Sequence, residues 1–315
     1  MTEIRYSVVV PVYMNVGSVD ALSDRLESLN EVRGGTLEAV FVVDGSPDAS
    51  LAALRTRLSR STLDAQLLAL SRNFGSFSAI RAGLAVARGD FIGVMAADLQ
   101  EPPEVVSDFF DAMEAGDCDI AIGQRTGRND SAVSSAASGL YWKAYRRLIN
   151  GDIPAGGVDV FGCTRDVATH IIGFSESHTS LVGILYWVGF RRQYFPYVRR
   201  AREHGTSAWT TTGKIRYLFD SIYSFTDLPV MLLQVVGFVG VVGSVLLGLI
   251  IFVGWLMGGI TQPGYTPIMI VILGSTSVLL LGLGVVGSYV ARGYENSKAR
   301  PISIVASHEQ FGPRA

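Results

Sequence analysis

Charge is what this sequence has little of, and the shortage is local. Asp, Glu, Lys and Arg make up 17% of the 315 residues, against roughly 25% in ordinary soluble domains. Between Leu228 and Ala291 there is none. A formal net charge of -2 leaves no electrostatic case for nucleic-acid binding. Cysteine is scarce as well. Cys118 and Cys163 are too few for a disulfide framework or a metal-ligand cluster, so buried reduced thiols are expected. The opening Met1-Thr2-Glu3-Ile4-Arg5-Tyr6 runs straight into a strand-like segment without the pattern of a signal peptide. The N-terminal part is therefore expected to stay in the cytoplasm.

What is present reads as alternating strands and helices. Apolar runs Ser7–Tyr13, Ala39–Val43, Gln66–Ser71, Phe91–Met95 and Ile120–Gly123 have the length and β-branched content of buried strands. Helical spacing recurs over Ser18–Leu29, Ser50–Leu58, Phe77–Ala87 and Pro103–Ala115. This order predicts a mostly parallel sheet covered by helices on both faces. In such sheets ligands sit beyond the carboxyl ends of the strands, where Asp44 and Asp98 fall.

After Arg125 the pattern changes. Ser138–Asn150 mixes Tyr141, Trp142, Tyr145, Leu148 and Ile149 with Lys143, Arg146 and Arg147. That suits a helix lying on a membrane surface, or equally one packed on the sheet. Ile215–Phe225 is a second candidate. Two apolar stretches, about Met231–Met257 and Pro267–Ala291, each exceed the ~20 residues that cross hydrocarbon. Lys214 and Arg216 precede the first; Arg292, Lys298 and Arg300 follow the second. The positive-inside rule puts both outer flanks in the cytoplasm and the link Gly258–Thr266 outside. The expected division is an α/β core over 1–134, a membrane-surface segment completing that domain over 135–228, two transmembrane helices within 229–291, and a cytoplasmic tail over 292–315.

Three stretches carry chemistry. Asp44, in the turn Asp44-Gly45-Ser46-Pro47, suits hydrogen bonds from a base or ribose, or a simple turn cap. Ser71-Arg72-Asn73-Phe74-Gly75 precedes a helix, where backbone donors and Arg72 could hold an anion; an ordinary connection reads equally well. Asp98 and Gln100, in Ala96-Ala97-Asp98-Leu99-Gln100-Glu101-Pro102-Pro103, offer the oxygen ligands that hard divalent ions share with phosphates.

Taken in order, these motifs resemble family 2 glycosyltransferases of the GT-A fold, a Rossmann-like α/β arrangement. More narrowly they resemble the bacterial polyprenyl-phosphate glycosyltransferases. The residues that carry the likeness are Val10-Pro11-Val12-Tyr13, Asp44-Gly45-Ser46, Ser71–Gly75, Ala82-Gly83-Leu84, Gly89-Asp90, Asp98-Leu99-Gln100 with Pro102-Pro103-Glu104, Trp187-Val188-Gly189-Phe190, Arg202 with Gly205 and Ser207, and Lys298-Ala299-Arg300-Pro301. The resemblance implies that Pro11 and Tyr13 border the nucleotide pocket and that Asp44 holds base or ribose. Ser71, Arg72 and Asn73 would line the same pocket. Asp98 and Gln100 would face Mg2+ or Mn2+ and the pyrophosphate. Arg125 would lie near substrate phosphates, and Arg202 and Ser207 in a segment that closes on them. Departures are Ala96, where relatives carry a second carboxylate, Phe161 or Val182 in place of Arg, Ala208 in place of Lys, and Glu101 in place of Asp.

The expected activity is inverting transfer of a sugar from a UDP- or GDP-sugar to a polyprenyl phosphate at the cytoplasmic face of the membrane. A multi-pass inner-membrane protein with both termini in the cytoplasm is expected, and the resemblance adds a homo-oligomer. Two alternatives stand beside it. One is a catalytically degenerate nucleotide-sugar-binding scaffold, which Ala96 favours. The other is a processive polysaccharide synthase, which would need more spans and a Gln-x-x-Arg-Trp motif that the sequence lacks.

Overall fold

The computed structural model describes residues 3–126, 151–154, 158–174, 176, 179–199, 219–224, 226, 228–257 and 264–312. Eight strands form one sheet in the order β7-β5-β6-β4-β1-β2-β3-β8. They are β1 (Tyr6–Val12), β2 (Leu37–Val43), β3 (Asp64–Leu70), β4 (Phe91–Val94), β5 (Ile120–Arg125), β6 (Phe161–Thr164), β7 (Arg192–Tyr197) and β8 (Val305–Phe311). β1, β2, β3 and β4 run parallel to one another, and β5 runs parallel to β7. β6 lies antiparallel between β4 and β5, and β8 antiparallel against β3. The carboxyl ends of β1 to β5 and of β7 therefore share one edge.

Buried apolar runs explain the centre of the sheet. Val8, Val9, Val10, Val40, Phe41 and Val42 are wholly buried, as strands covered on both faces require. The faces are covered by α1 (Val19–Val32), α2 (Ser50–Leu58), α3 (Ser76–Val86), α4 (Pro103–Glu114), α5 (Arg165–Gly173) and α6 (Leu181–Trp187). Pro103 opens α4, where the missing amide hydrogen costs nothing. Pro11 is tolerated in a central strand because the pairing of β1 with β4 ends at Val9. Two glycines expected from the motifs are packing devices. A Cβ on Gly89 would lie 2.6 Å from the Tyr6 carbonyl carbon, and one on Gly83 would strike Val9.

Two long helices follow, α7 (Leu228–Leu256) and α8 (Tyr265–Ser297), which pack on each other. At 1.5 Å per residue they are about 44 and 50 Å long. Within α8, Gly274–Ser297 is long and apolar enough to cross a bilayer by length and composition. Residues 219–224 are helical and bind α8 through an Asp220–Arg292 ion pair of 2.8 Å and Tyr223 against Tyr289. The proposed surface helix at Ser138–Asn150 lies outside the described residues.

The segment 292–315 is more than a tail. α8 continues to Ser297, and β8 then completes the sheet. Arg55 grips Glu309 through two nitrogens, at 2.8 and 2.6 Å, and His308 meets Gln66 at 2.8 Å. β8 alternates exposed and half-buried residues, as an edge strand does.

Both cysteines are buried and unpaired. Burial pushes the Cys118 thiol up to about 11 and the Cys163 thiol up to about 12. Neither should react with a maleimide at pH 8 in the native protein, and both should label in denaturant. Mass spectrometry of the labelled protein reads the result directly.

Candidate active site

The loops beyond the shared carboxyl edge are tied to one another. After β1, the Met14 amide donates to Ser46 Oγ at 2.8 Å, and the Val16 amide donates to Asp48 at 3.2 Å. Asp48 also accepts from the Ser46 hydroxyl and the Ser50 amide, which opens α2. These hydrogen bonds hold its carboxyl below the usual range, against the opposing effect of burial. Met14 adopts a left-handed backbone, φ 54°, to make this turn.

Asp44 is buried at the end of β2. Its two oxygens accept from the backbone amides of Phe74 and Gly75 at 2.7 and 2.8 Å. Burial raises its pKa; the two amides and Arg72 pull the other way. Two backbone donors expected for a ligand anion are thus occupied by the chain's own carboxylate. Asp44 braces the 71–75 loop, and each oxygen keeps a second lone pair for a ligand. Gly45, φ 56°, lies against the same loop: a Cβ there would fall on the Arg72 carbonyl carbon, with Arg72 Cα at 2.7 Å. Ser71, Arg72 and Asn73 are exposed. Arg72 stacks 4.0 Å above the Phe74 ring. The Ser71 amide donates to Ile304 O at 2.9 Å, so the segment leading into β8 touches this loop. Pro11 and Tyr13 are half-buried at the end of β1.

Past β4, Asp98 is half-buried and its Oδ1 accepts from the Gln100 amide at 3.3 Å, around Leu99 at φ 58°. Glu101 follows, fully buried. Desolvation first, then Asp159 and Asp98, push its carboxyl up to about 7, while Arg199 and Arg125 oppose the shift. Arg125, at the end of β5, donates from two nitrogens to Asp159, one of them at 3.0 Å, and the Tyr197 hydroxyl donates to the same oxygen at 3.1 Å. That pairing raises the Arg125 pKa over the lowering effect of burial. Arg199 stands two residues beyond β7, 3.7 Å from Glu101.

The fold thus gathers Pro11, Tyr13, Asp44, Ser71, Arg72, Asn73, Asp98, Gln100 and Arg125 along one edge. Arg202 and Ser207 lie outside the described residues, as does Ala208. Phe161 and Val182, where the resemblance implies Arg, are buried in one apolar cluster. Glu101, Asp159, Tyr197 and Arg199 were not read as site residues from sequence. The signal for Arg199 was a basic pair closing an alternating strand; Asp159 had none.

Comparison with known proteins follows this geometry. Residues 7–171 match the family model described as glycosyl transferase family 2. CsbB of Bacillus subtilis (strain 168), named as a glycosyltransferase, is 30% identical over 299 residues, covering 95% of this chain and 90% of its own. The bactoprenol glucosyl transferase of Shigella phage SfV is 28% identical over 307 residues, covering 97% and 99%. Among solved structures, glucosyl-3-phosphoglycerate synthase from Mycobacterium tuberculosis in complex with uridine diphosphate aligns over 70% of this chain and 79% of its own, at 15% identity and a TM-score of 0.49.

Proposed function

Since this chain belongs to glycosyl transferase family 2, we propose that it moves a sugar from a nucleotide-sugar donor to a polyprenyl phosphate at a membrane surface. Relatives named bactoprenol glucosyl transferase support that choice of acceptor.

The observation that carries it is where α8 joins the sheet. β8 begins opposite Leu70, at the carboxyl end of β3, and Ile304 touches Ser71. Only residues 298–304 separate α8 from that edge. Fully extended, they span at most about 25 Å. The edge carrying Asp44 and Asp98 is thus tethered beside the end of an apolar helix. A polyprenyl chain leaves the bilayer at a cost of ~0.8 kcal/mol per CH2. An enzyme that meets its phosphate at the surface avoids that cost.

In this reading α7 and α8 cross the membrane as a hairpin. The charge-free 228–256 helix and the return of β8 to the sheet both support it. The catalytic domain, residues 305–311 included, then lies on one side, with the cytoplasm favoured by the basic flanks. The domain division given above follows the same lines.

The reaction is a displacement with inversion. An acceptor phosphate oxygen attacks the anomeric carbon as the bond from that carbon to the nucleotide's phosphate oxygen breaks. The lone pair leaves with the nucleoside diphosphate. A phosphate monoester, with a second pKa near ~6, is largely dianionic at neutral pH and needs no general base. The protein's tasks are alignment and charge neutralisation. Asp44 would take base or ribose hydrogens with its remaining lone pairs, and the 71–75 loop would wall the pocket.

Asp98 and Gln100 would hold Mg2+ or Mn2+. Among the described residues no three His, Cys, Asp or Glu side chains converge as a metal-binding group. One carboxylate and one amide still fit an ion that completes its shell with substrate phosphates and water. When bound, such an ion neutralises the departing diphosphate. Ala96 favours a second reading, a nucleotide-sugar-binding scaffold without turnover.

Purified full-length protein in detergent, given polyprenyl phosphate and labelled UDP-, GDP- and dTDP-sugars with and without Mg2+ or Mn2+, decides between them. A lipid-linked labelled product is expected from one donor. Tight nucleotide binding with no product from any donor would establish the scaffold instead.

A further inference from the structure

The two described arginines at the ends of β5 and β7 are in opposite states. Arg125 is engaged: Asp159 accepts from two of its nitrogens, and the Tyr197 hydroxyl donates to the same carboxylate oxygen. Arg199 pairs with Glu101 across 3.7 Å, too far for a hydrogen bond. Its Nε is shut from solvent and has no hydrogen-bond partner among the described residues. Both oxygens of Glu101 are in the same condition, on a side chain that is 0% exposed. A buried carboxylate and guanidinium that miss each other's hydrogen bonds are costly to keep. Asp98 and Asp159 add negative charge around Glu101.

We propose that Arg199 binds a substrate phosphate and that Glu101, buried behind it, is the positioning residue that aims it. Arg199 stands on the edge that carries Asp98, and its side chain is 29% exposed where Glu101 is sealed. Its charge is therefore anchored on the protein side and reachable from the other. A guanidinium presents a planar fork of donors that matches phosphate oxygens two at a time. Among the described residues, the arginines along this edge are Arg72, at the far β3 end, Arg125 and Arg199. Arg125 is committed to Asp159, and Phe161 and Val182 are packed into the core. The assignment rests on the transferase reading of this edge. Phosphate oxygens are the shared chemistry of its two substrates, the nucleoside diphosphate and the lipid monophosphate.

The test uses the full-length protein in detergent. UDP and GDP affinities are measured by calorimetry without lipid, and KM is measured for the nucleotide sugar and for polyprenyl phosphate. Arg199→Ala should weaken nucleoside diphosphate binding, or raise the KM for lipid phosphate, by about 10- to 100-fold, the range of a charged hydrogen bond. Arg199→Lys should recover part of that loss, since it keeps the charge and loses the fork. Glu101→Gln should move the same constant in the same direction. Arg199→Ala strands a buried carboxylate, so it is paired with the double variant Glu101→Gln/Arg199→Ala. The double variant should bind no worse than Arg199→Ala, as residues acting through one another do. A loss confined to nucleoside diphosphate assigns Arg199 to the donor, and one confined to lipid phosphate to the acceptor. Folded variants with both constants unchanged would overturn the proposal. A wild type that transfers no sugar, yet binds nucleotide less well after Arg199→Lys, would overturn the transferase reading and leave this one standing.

Discussion

Asp98→Ala is expected to lower sugar transfer by about two to three orders of magnitude, the usual cost of removing one group that stabilises developing charge. The reason lies in its position. Asp98 is half-buried beyond β4, on the edge shared by β1 to β5 and β7. Ala96 contributes no carboxylate beside it. A site with a single acidic ligand loses more from its removal than a site with two. The substitution also removes the acceptor of the Gln100 amide, at 3.3 Å, so folding is measured alongside. Asp98→Asn keeps the shape and removes the charge, so it should lose activity to a similar extent. Initial rates with labelled donor, set beside thermal melts, separate the two effects. A variant that melts with the wild type and keeps its full rate would remove Asp98 from the mechanism.

Gly45→Val should be the most damaging change at the nucleotide end. Gly45 has φ 56°, a region costing an L residue roughly 1–2 kcal/mol and a β-branched one more. The added Cβ would also fall on the Arg72 backbone, and that backbone cannot retreat. Asp44 holds Phe74 and Gly75 by their amides, and Ile304 holds Ser71. Strain and overlap together should cost about 3 kcal/mol or more. In a domain of this size that is a fall of roughly 6–12 °C in melting temperature. UDP or GDP affinity should fall with it, since both loops move. Gly45→Ala should show a smaller loss of the same kind. Calorimetric melts and nucleotide titrations of the two variants check the order.

The parts of this fold that could be read from sequence are those where one physical demand dominates. β1, β2 and β4 are covered on both faces, so Val8–Val12, Ala39–Val43 and Phe91–Val94 form unbroken apolar runs. β8 could not be read that way. Val305-Ala306-Ser307-His308-Glu309-Gln310-Phe311 pairs along one edge only, and its stability comes from Arg55 and Gln66, far away in the chain. β6 has four residues and owes its place to β4 and β5. The site divides in the same manner. Asp44 and Asp98 stand out because each ends an apolar strand. The two readings of Asp44 were ligand group and turn cap. The structure adds a third, a brace across to Phe74 and Gly75. Glu101 looked like a mild change beside Asp98, and its burial is invisible without the elements around it. Arg199 and Arg202 are three residues apart in one basic stretch. Only the position of β7 singles out the first.

The pairing of β3 with β8 also sets a timetable for making the protein. Leu70 meets Val305, roughly 235 residues later in the chain, and at ~5–20 residues per second a ribosome needs about 10–50 s to cover that distance. Throughout that interval the nascent sheet has an open edge at Ala65–Leu70, a surface prone to pairing with other chains. The last strand can dock only after both long helices have been synthesised. A translation product cut short after α8 would keep that edge bare, open to pairing with other chains.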